Sequence, residues 1–192
     1  MSLAAVAIAA AASTSTWNLD ASHSQASFTV KHMMVANVRG EFRKLEGVLT
    51  LDDKDLTKSN VDVTIDAASI DTRDEKRDAH LKSPDFFDVA NTPKITFKST
   101  KIEKSGDGYK VAGNLTLHGV TKPVVLDVEG PTAPVKSPWG TESIGISGTT
   151  QINRKDFGLV WNKPLEVAGG VLVSDTVKIS IDAEFVKAPP AK

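Results

Sequence analysis

The segment TRDEKRDAHLKSPDFFD, residues 72–88, is the one part of the chain whose sequence does not alternate like a β-strand. Thr72 is a residue type suited to cap a helix N-terminus, and Asp74 and Glu75 would then place negative charge in the first turn. Pro84 cannot continue a helix and ends it. The sequence therefore predicts one short helix inside a chain that otherwise forms strands.

This insert, residues 72–88, cannot form an apolar face of its own, because Ala79 and Leu81 are the few apolar residues of its predicted helix. Phe86 and Phe87 follow the helix and together offer a large apolar surface. We expect these two rings to dock the insert onto a β-barrel or β-sandwich built by the rest of the chain.

Apolar side chains occupy every second position on both sides of the insert, as in strands with one buried face. The alternation changes phase near Leu45, which indicates a bulge or bend, and residues 131–138 form a proline-marked loop. The last strand is the clearest, with inward positions Val177, Ile179, Ile181, Ala183 and Phe185. Roughly eight strands with short turns and no βαβ rhythm predict an all-β fold with a closed antiparallel sheet.

Composition limits the classes of function that the chain can have. Its 192 residues, 40% of them hydrophobic, suffice for one well-cored domain. The 23 Lys and Arg are interspersed with 24 Asp and Glu, so the basic face that a nucleic acid requires is missing. The chain has no cysteine, which excludes disulfides, thiolate metal sites and a cysteine nucleophile.

The N-terminus resembles the end of a secretory signal, since residues 4–12 are mostly alanine and residues 10–12 offer a small-residue cleavage site. The positively charged start of such a signal is missing, and an Ala-rich helical tail is the alternative. No other stretch approaches the roughly 20 apolar residues of a membrane span. We divide the chain into a leader at residues 1–16, a barrel domain at 17–188 and a tail at 189–192, and we expect export.

The histidines offer little chemistry in the sequence. His23, His32, His80 and His118 show none of the short spacings of a zinc site, and no G-x-S-x-G motif is present. We therefore predict no metal ligand and no catalytic residue. His80 shares the insert with Asp85, so an acid and base pair beside the two rings is the alternative to a solvated helix face.

A series of ordered motifs carries a resemblance to a known family. They are WNLD (17–20), HS (23–24), FTVKH (28–32), GEF (40–42), GVL (47–49), RDAHLKS (77–83), DFFD (85–88), PKITFKS (93–99), GNLTLHGVT (113–121) and NRKDFG (153–158). On these motifs the chain resembles the YceI-like, polyisoprenoid-binding family from residue 17 to about residue 186.

The resemblance implies an extended, eight-stranded, lipocalin-like antiparallel barrel that holds a long isoprenoid or similar amphiphile. Such proteins are typically exported by bacteria, which implies a periplasmic location. Their proposed roles are transport, storage or shielding of isoprenoid quinones or their precursors, and no reaction is firmly assigned to them. The expected partner is accordingly a polyisoprenoid, a prenylated quinone or a fatty amphiphile, with no other cofactor, and a homodimer is compatible with the sequence.

The predicted ligand-binding residues come from the inward positions of the strands, from the NRKDFG motif and from the insert, with residues 77–87 acting as a lid. They are Phe28, Val30, His32, Met34, Phe42, Val63, Ile65, Arg77, His80, Phe86, Phe87, Phe97, Val111, Gly113, Leu115, Leu126, Ile152, Phe157, Ile179 and Ile181.

Gly113 has two interpretations, because glycine inside a strand has no side chain to pack. It either permits a bend of the sheet or leaves a channel for a ligand. A barrel whose core is filled by its own side chains is the alternative to any ligand-binding function.

Overall fold

The computed structural model describes residues 14–165 and 170–189, which form eleven strands and one α-helix. The predicted leader at residues 4–12 lies outside the described residues. The strands are β1 Thr14–His32, β2 Ala36–Phe42, β3 Leu45–Asp52, β4 Asn60–Asp66, β5 Ile70–Asp71, β6 Lys94–Ser105, β7 Gly108–Leu117, β8 Val120–Glu129, β9 Val135–Lys136, β10 Glu142–Asn153 and β11 Thr176–Lys187. The α-helix, α1, is Glu75–Lys82, and none of the described helices is long and apolar enough to cross a membrane.

The sheet closes on itself through β1, which pairs antiparallel with β11 along one edge. Around the ring the order is β1, β3, β4, β6, β7, β8, β10 and β11, which gives eight antiparallel positions. The predicted closed all-β sheet is therefore confirmed. One short strand departs from the prediction, because β9 lies within the proline-marked loop and pairs with the start of β10.

The predicted bend near Leu45 is a break between two strands that share one position in the barrel. β2 pairs with residues 26–32 of β1, and β3 pairs with residues 14–18 of the same strand. Arg43 and Lys44 connect them outside both ladders. The long strand β1 therefore spans two shorter partners, which is why the alternation shifts phase there.

The inward side chains form two buried clusters at opposite ends of the barrel. At one end, called here the Trp17 end, Trp17, Leu49, Ile144, Ala183 and Phe185 pack together. At the other end, called the insert end, the cluster consists of Phe42, Ala67, Ile70, Phe86, Ile95, Leu117, Ile152, Phe157 and Leu159.

The insert packs across its end of the barrel through its two phenylalanines, as predicted. Phe86 is buried in the cluster, and the half-buried Phe87 contacts Phe42 edge to face with ring centroids 5.6 Å apart. The helix itself has no buried residue. The two aromatic rings thus supply most of the apolar surface that holds the insert in place, and the partly buried Leu81 of the helix packs against the same cluster.

The predicted helix cap was wrong by two residues. Asp74, and not Thr72, accepts the capping hydrogen bond from the Arg77 N–H at 3.1 Å. Thr72 is buried, and its hydroxyl donates to Asp78 Oδ1 at 2.5 Å while it accepts from Arg77 Nε at 2.7 Å. The helix ends at Lys82, just before Ser83 and Pro84, as predicted.

Gly113 lies under the ring of Phe97. It pairs with Ser99 of β6, directly beside the point where the register between β6 and β7 shifts. A Cβ atom on Gly113 would overlap the Phe97 ring and would lie 2.6 Å from the Lys98 carbonyl oxygen. The glycine therefore allows a ring and a bent strand to pack closely, and this space is not open to a ligand.

We expect Gly113→Ala to lower the free energy of unfolding by about 1–3 kcal/mol, because the added methyl group overpacks the site. The matched control is Gly148→Ala on β10, whose Cβ atom would lie 3.5 Å from Val128 Cγ2 in ordinary contact. That variant should stay within about 0.5 kcal/mol of the wild type. Urea denaturation measures both, and equal stability of the two variants would contradict the packing described for Gly113.

Candidate functional site

A cavity of about 480 Å³ lies inside the barrel. It extends between the two buried clusters and is lined by side chains from all eight barrel positions. Its volume is within the roughly 300–1,000 Å³ of small-ligand sites, and an eight-stranded barrel is wide enough to hold one such ligand. The interior is therefore not completely filled by the protein's own side chains.

Most of the predicted ligand-binding residues line this cavity, although their contact with a ligand stays a prediction. The lining residues among them are Phe28, Val30, His32, Phe42, Val63, Ile65, Arg77, His80, Phe86, Phe87, Phe97, Val111, Leu115, Leu126, Ile152, Ile179 and Ile181.

Three predicted residues, Met34, Gly113 and Phe157, are not part of the cavity lining. Met34 lies beyond the end of β1 in an exposed turn, so the strand alternation no longer applies to it. Phe157 is buried within the cluster at the insert end. Gly113 is covered by the Phe97 ring, which removes the channel interpretation.

A loop without regular structure supplies lining residues that the sequence pattern missed. This loop, residues 158–175 with residues 166–169 outside the described part, contributes Leu159, Trp161, Leu172 and Val173. Its apolar residues follow no strand or helix period, and the run from Leu159 to Trp161 was their one signal in the sequence. The loop and the insert together cover the insert end of the barrel.

Arg154 holds this loop in place from inside the protein, where only 4% of the residue is exposed. Its Nη1 donates to the carbonyl oxygens of Leu159 and Trp161 at 2.5 and 2.8 Å, and its Nε donates to that of Ser174 at 3.1 Å. Its Nη2 lies 3.2 Å from Asp175 Oδ1. Burial lowers the pKa of Arg154, and the Asp175 carboxylate opposes this shift.

The cavity has polar groups at the insert end. His80 Nε2 lies 2.9 Å from Asp85 Oδ2, and the His80 ring packs edge to face on both Trp161 and Phe86. Arg77 donates from Nη2 to the Thr72 carbonyl at 2.6 Å. His80 therefore connects the insert to the loop that Arg154 holds.

A second histidine cluster lies on the outer surface of the barrel. His23 Nδ1 is 2.8 Å from Asp20 Oδ2 and 3.9 Å from Glu184 Oε2, where β1 bulges away from β11. Hydrogen bonds from Ser22 and His23 lower the pKa of Asp20 to about 2, and the bond to Asp20 raises the pKa of His23. These groups satisfy one another across the bulge, which indicates a structural role for His23.

In the described part of the chain, the fully buried polar side-chain atoms around the cavity do not require a particular ligand. Among the described residues, every buried side-chain nitrogen and oxygen has a hydrogen-bond partner. Arg154 and Thr72, two buried polar residues of the lining, are already occupied by backbone and side-chain partners. The arrangement favours a ligand that is mostly hydrocarbon, since such a ligand leaves these bonds intact.

Comparison with known proteins places this barrel in a family. Residues 17–185 match the YceI-like domain. The chain belongs to the YceI-like family. UPF0312 proteins of Serratia proteamaculans and Yersinia pestis are each 41% identical to it over 137 residues, which is 71% of this chain and 71% of each relative.

Solved structures of related barrels agree with the fold. The Campylobacter jejuni YCEI protein has a TM-score of 0.69 and 32% identity, with 83% of this chain and 90% of that chain covered. Burkholderia cenocepacia BcnA has a TM-score of 0.73 and 24% identity, with 86% and 98% covered. A polyisoprenoid binding domain from Saccharophagus degradans, implicated in plant cell wall breakdown, has a TM-score of 0.62 and 19% identity, with 90% and 98% covered.

We expect Arg154→Met to lower the free energy of unfolding by about 2–4 kcal/mol, because it leaves buried carbonyl groups without donors. The matched control is Lys155→Met, since Lys155 is exposed and pairs with the same Asp175 carboxylate at 2.8 Å. That variant should lose at most about 1 kcal/mol. Urea denaturation measures stability, and faster hydrogen exchange in residues 159–165 should accompany only the first variant. Equal effects of the two variants would show that the ion pair, and not the carbonyl bonds, holds the loop.

Proposed function

We propose that this protein binds a long-chain isoprenoid or similar amphiphilic lipid inside its barrel, as a carrier, storage or shielding protein for isoprenoid quinones or their precursors. The observation that carries this proposal is the apolar cavity between the two end clusters. Membership of the YceI-like family and the fold shared with a polyisoprenoid binding domain support it. Both favour a binding protein over an enzyme.

The physical basis of binding is the removal of hydrocarbon from water. Burial contributes about 0.8 kcal/mol per CH₂ group, so a chain of about twenty carbons gains on the order of 10 kcal/mol even after its ordering is subtracted. No charged anchor is needed for an affinity of this size. Selectivity would then come from the length and width of the cavity.

The polar groups at the insert end suit the head group of such a lipid. Arg77 and His80 reach the cavity from the insert, and His32 reaches it from β1. The hydrocarbon would extend from these residues toward Leu51 and Tyr109 near the Trp17 end, which also line the cavity. The insert would act as the lid over the head group.

We place this activity in the bacterial periplasm, on the strength of the alanine-rich residues 4–12 at the start of the chain. An exported protein would meet isoprenoid lipids at the membranes that bound this compartment. A homodimer stays a prediction.

An enzyme that modifies a prenyl chain is the second candidate function. The observation that favours it is the contact between His80 and Asp85 at 2.9 Å beside the cavity, which is hydrogen-bonding distance for an acid and base pair. In a carrier, the same contact only orients the ring that connects insert and loop. The two functions differ in whether the lipid leaves the barrel chemically changed.

Native mass spectrometry of gently purified protein, followed by organic extraction, tests the carrier. We expect a retained lipid, or uptake of an added prenylated quinone, and recovery of the added molecule unchanged; a changed molecule would favour the enzyme. If the full-length gene product is expressed in bacteria and exported, the same spectrum should show cleavage near Ala12. A lipid-free protein that also ignores prenylated quinones would contradict the proposed function.

Paired tryptophan variants locate the lipid. Leu126 lines the cavity, whereas its neighbour Val125 is exposed on the outside of the same strand. Leu126→Trp should reduce bound lipid at least about tenfold, because the ring occupies volume that the chain needs and loss of about two CH₂ contacts suffices for that factor. Val125→Trp should bind as the wild type does. Circular dichroism and a cooperative melt confirm folding, and equal lipid content in both variants would place the lipid elsewhere.

A further inference from the structure

The turn between β1 and β2 has an unusual sequence for its geometry. Met33 and Met34 have φ angles of 50° and 59°, and the Val35 N–H donates to the His32 carbonyl at 3.0 Å. Two consecutive central residues with positive φ define a type I′ hairpin turn, in which Asn-Gly is strongly preferred. The left-handed backbone conformation is sterically unfavourable for methionine, and less so for asparagine and glycine. The two methionines therefore do not optimise the turn.

The same three residues form an exposed apolar surface, called here the hairpin tip, residues 33–35. Met33, Met34 and Val35 are 45%, 59% and 82% exposed. Isolated exposed apolar residues are common, but three in succession at a strained turn indicate selection for something other than stability.

The hairpin tip lies at the insert end of the cavity. The Met33 N–H donates to the Leu172 carbonyl at 2.8 Å, and Met34 Cγ lies 3.5 Å from the position of a Cβ atom on Gly170. His32, which precedes the tip, and Leu172 both line the cavity. Anything that binds the tip is therefore brought next to this end of the cavity.

Two lysines flank the hairpin tip. The carbonyl of Lys163 accepts from the Leu172 N–H at 2.9 Å, and the carbonyl of Lys31 accepts from the Ser174 N–H at 2.9 Å, so both residues are backbone neighbours of the strip that contacts the tip. Both are exposed, and within residues 14–165 and 170–189 neither forms an ion pair with a carboxylate. Apolar residues beside free ammonium groups match the interface of an anionic bilayer.

We propose that the hairpin tip inserts into the surface of an anionic lipid bilayer, with Lys31 and Lys163 on the phosphate groups. Docking in this way would turn the insert end of the cavity toward the membrane. This inference rests on the proposed function in one respect: a ligand that is nearly insoluble in water must pass between bilayer and barrel. The methionines suit insertion, because they are flexible and apolar and carry no charge to desolvate.

Another exposed apolar loop lies at the opposite end of the barrel and provides the control. Trp139 is 89% exposed in the turn after β9, and β9 pairs with the start of β10. The start of β10 in turn pairs with the end of β11, next to Trp17. Docking through Trp139 would therefore present the Trp17 end to the membrane.

The test is the double variant Met33→Asn/Met34→Gly, which supplies the residues that the turn prefers. It should melt at the same or a higher temperature than the wild type, so a loss of binding cannot be attributed to unfolding. Its association with phosphatidylcholine vesicles that contain phosphatidylglycerol, measured by co-sedimentation, should be at least tenfold weaker. Trp139→Ser should bind as the wild type does. Lys31→Gln/Lys163→Gln should lose most of the preference for these vesicles over pure phosphatidylcholine.

Several results would overturn the docking proposal. They are full vesicle binding by the Met33→Asn/Met34→Gly variant, loss of binding by the Trp139→Ser variant, and no binding by the wild type. A wild-type dimer that the Met33→Asn/Met34→Gly variant converts to monomer would assign the tip to a second copy of the chain. Organic extraction separates this proposal from the proposed function. If the barrel contains no lipid but the protein still binds vesicles through the tip, the lipid-binding function is contradicted and the docking proposal stands.

Discussion

The pairing of β1 with β11 is the constraint on which the rest of this structure depends. It joins Trp17 to Lys187 at one end and Thr29 to Lys178 at the other, and it removes the two free edges that an open sheet would have. Closure also creates an inside that water reaches only through the ends. Alternating apolar residues can then line a space that is not filled, because the backbone hydrogen bonds of the ring hold the walls apart without support from the centre.

The two ends of the barrel are closed by different means. Regular strand residues close the Trp17 end, where Trp17 and Phe185 of the neighbouring strands β1 and β11 belong to one buried cluster. Irregular segments close the insert end, and their backbone polar groups need partners that strands would otherwise provide. Arg154 supplies several of these partners for the loop that contains Trp161. The Phe86 and Phe87 rings hold the insert. Contacts of a few side chains therefore hold this end.

Features set by neighbouring residues could be predicted from the sequence, whereas features set by contacts between residues far apart in the chain could not. The strands were predictable, and most of the residues predicted to face inward line the cavity, since alternation along a strand reports which face is buried; Val63 and Ile181 are examples. Met34 was misplaced because the strand pattern was extended past the end of β1. Phe157, taken from the NRKDFG motif, lies in a 3₁₀ turn and packs into the buried cluster at the insert end. Trp161 and Leu172 were missed because contacts distant in sequence fix their positions and leave no periodic trace: the Trp161 carbonyl accepts from Arg154, and the Leu172 carbonyl accepts from the Met33 N–H. Thr72 was taken as a cap because its role in binding Asp78 and Arg77 exists only in the folded insert.

The central claim is that the space between the two clusters holds a hydrocarbon chain. A crystal structure of the protein, purified from cells without detergent or organic solvent, tests this most directly. We predict continuous, elongated electron density that begins near His80 and Arg77 and runs along Leu126 toward Tyr109. An interior in which the side chains have collapsed to fill the space, or one that contains only ordered water, would contradict the claim.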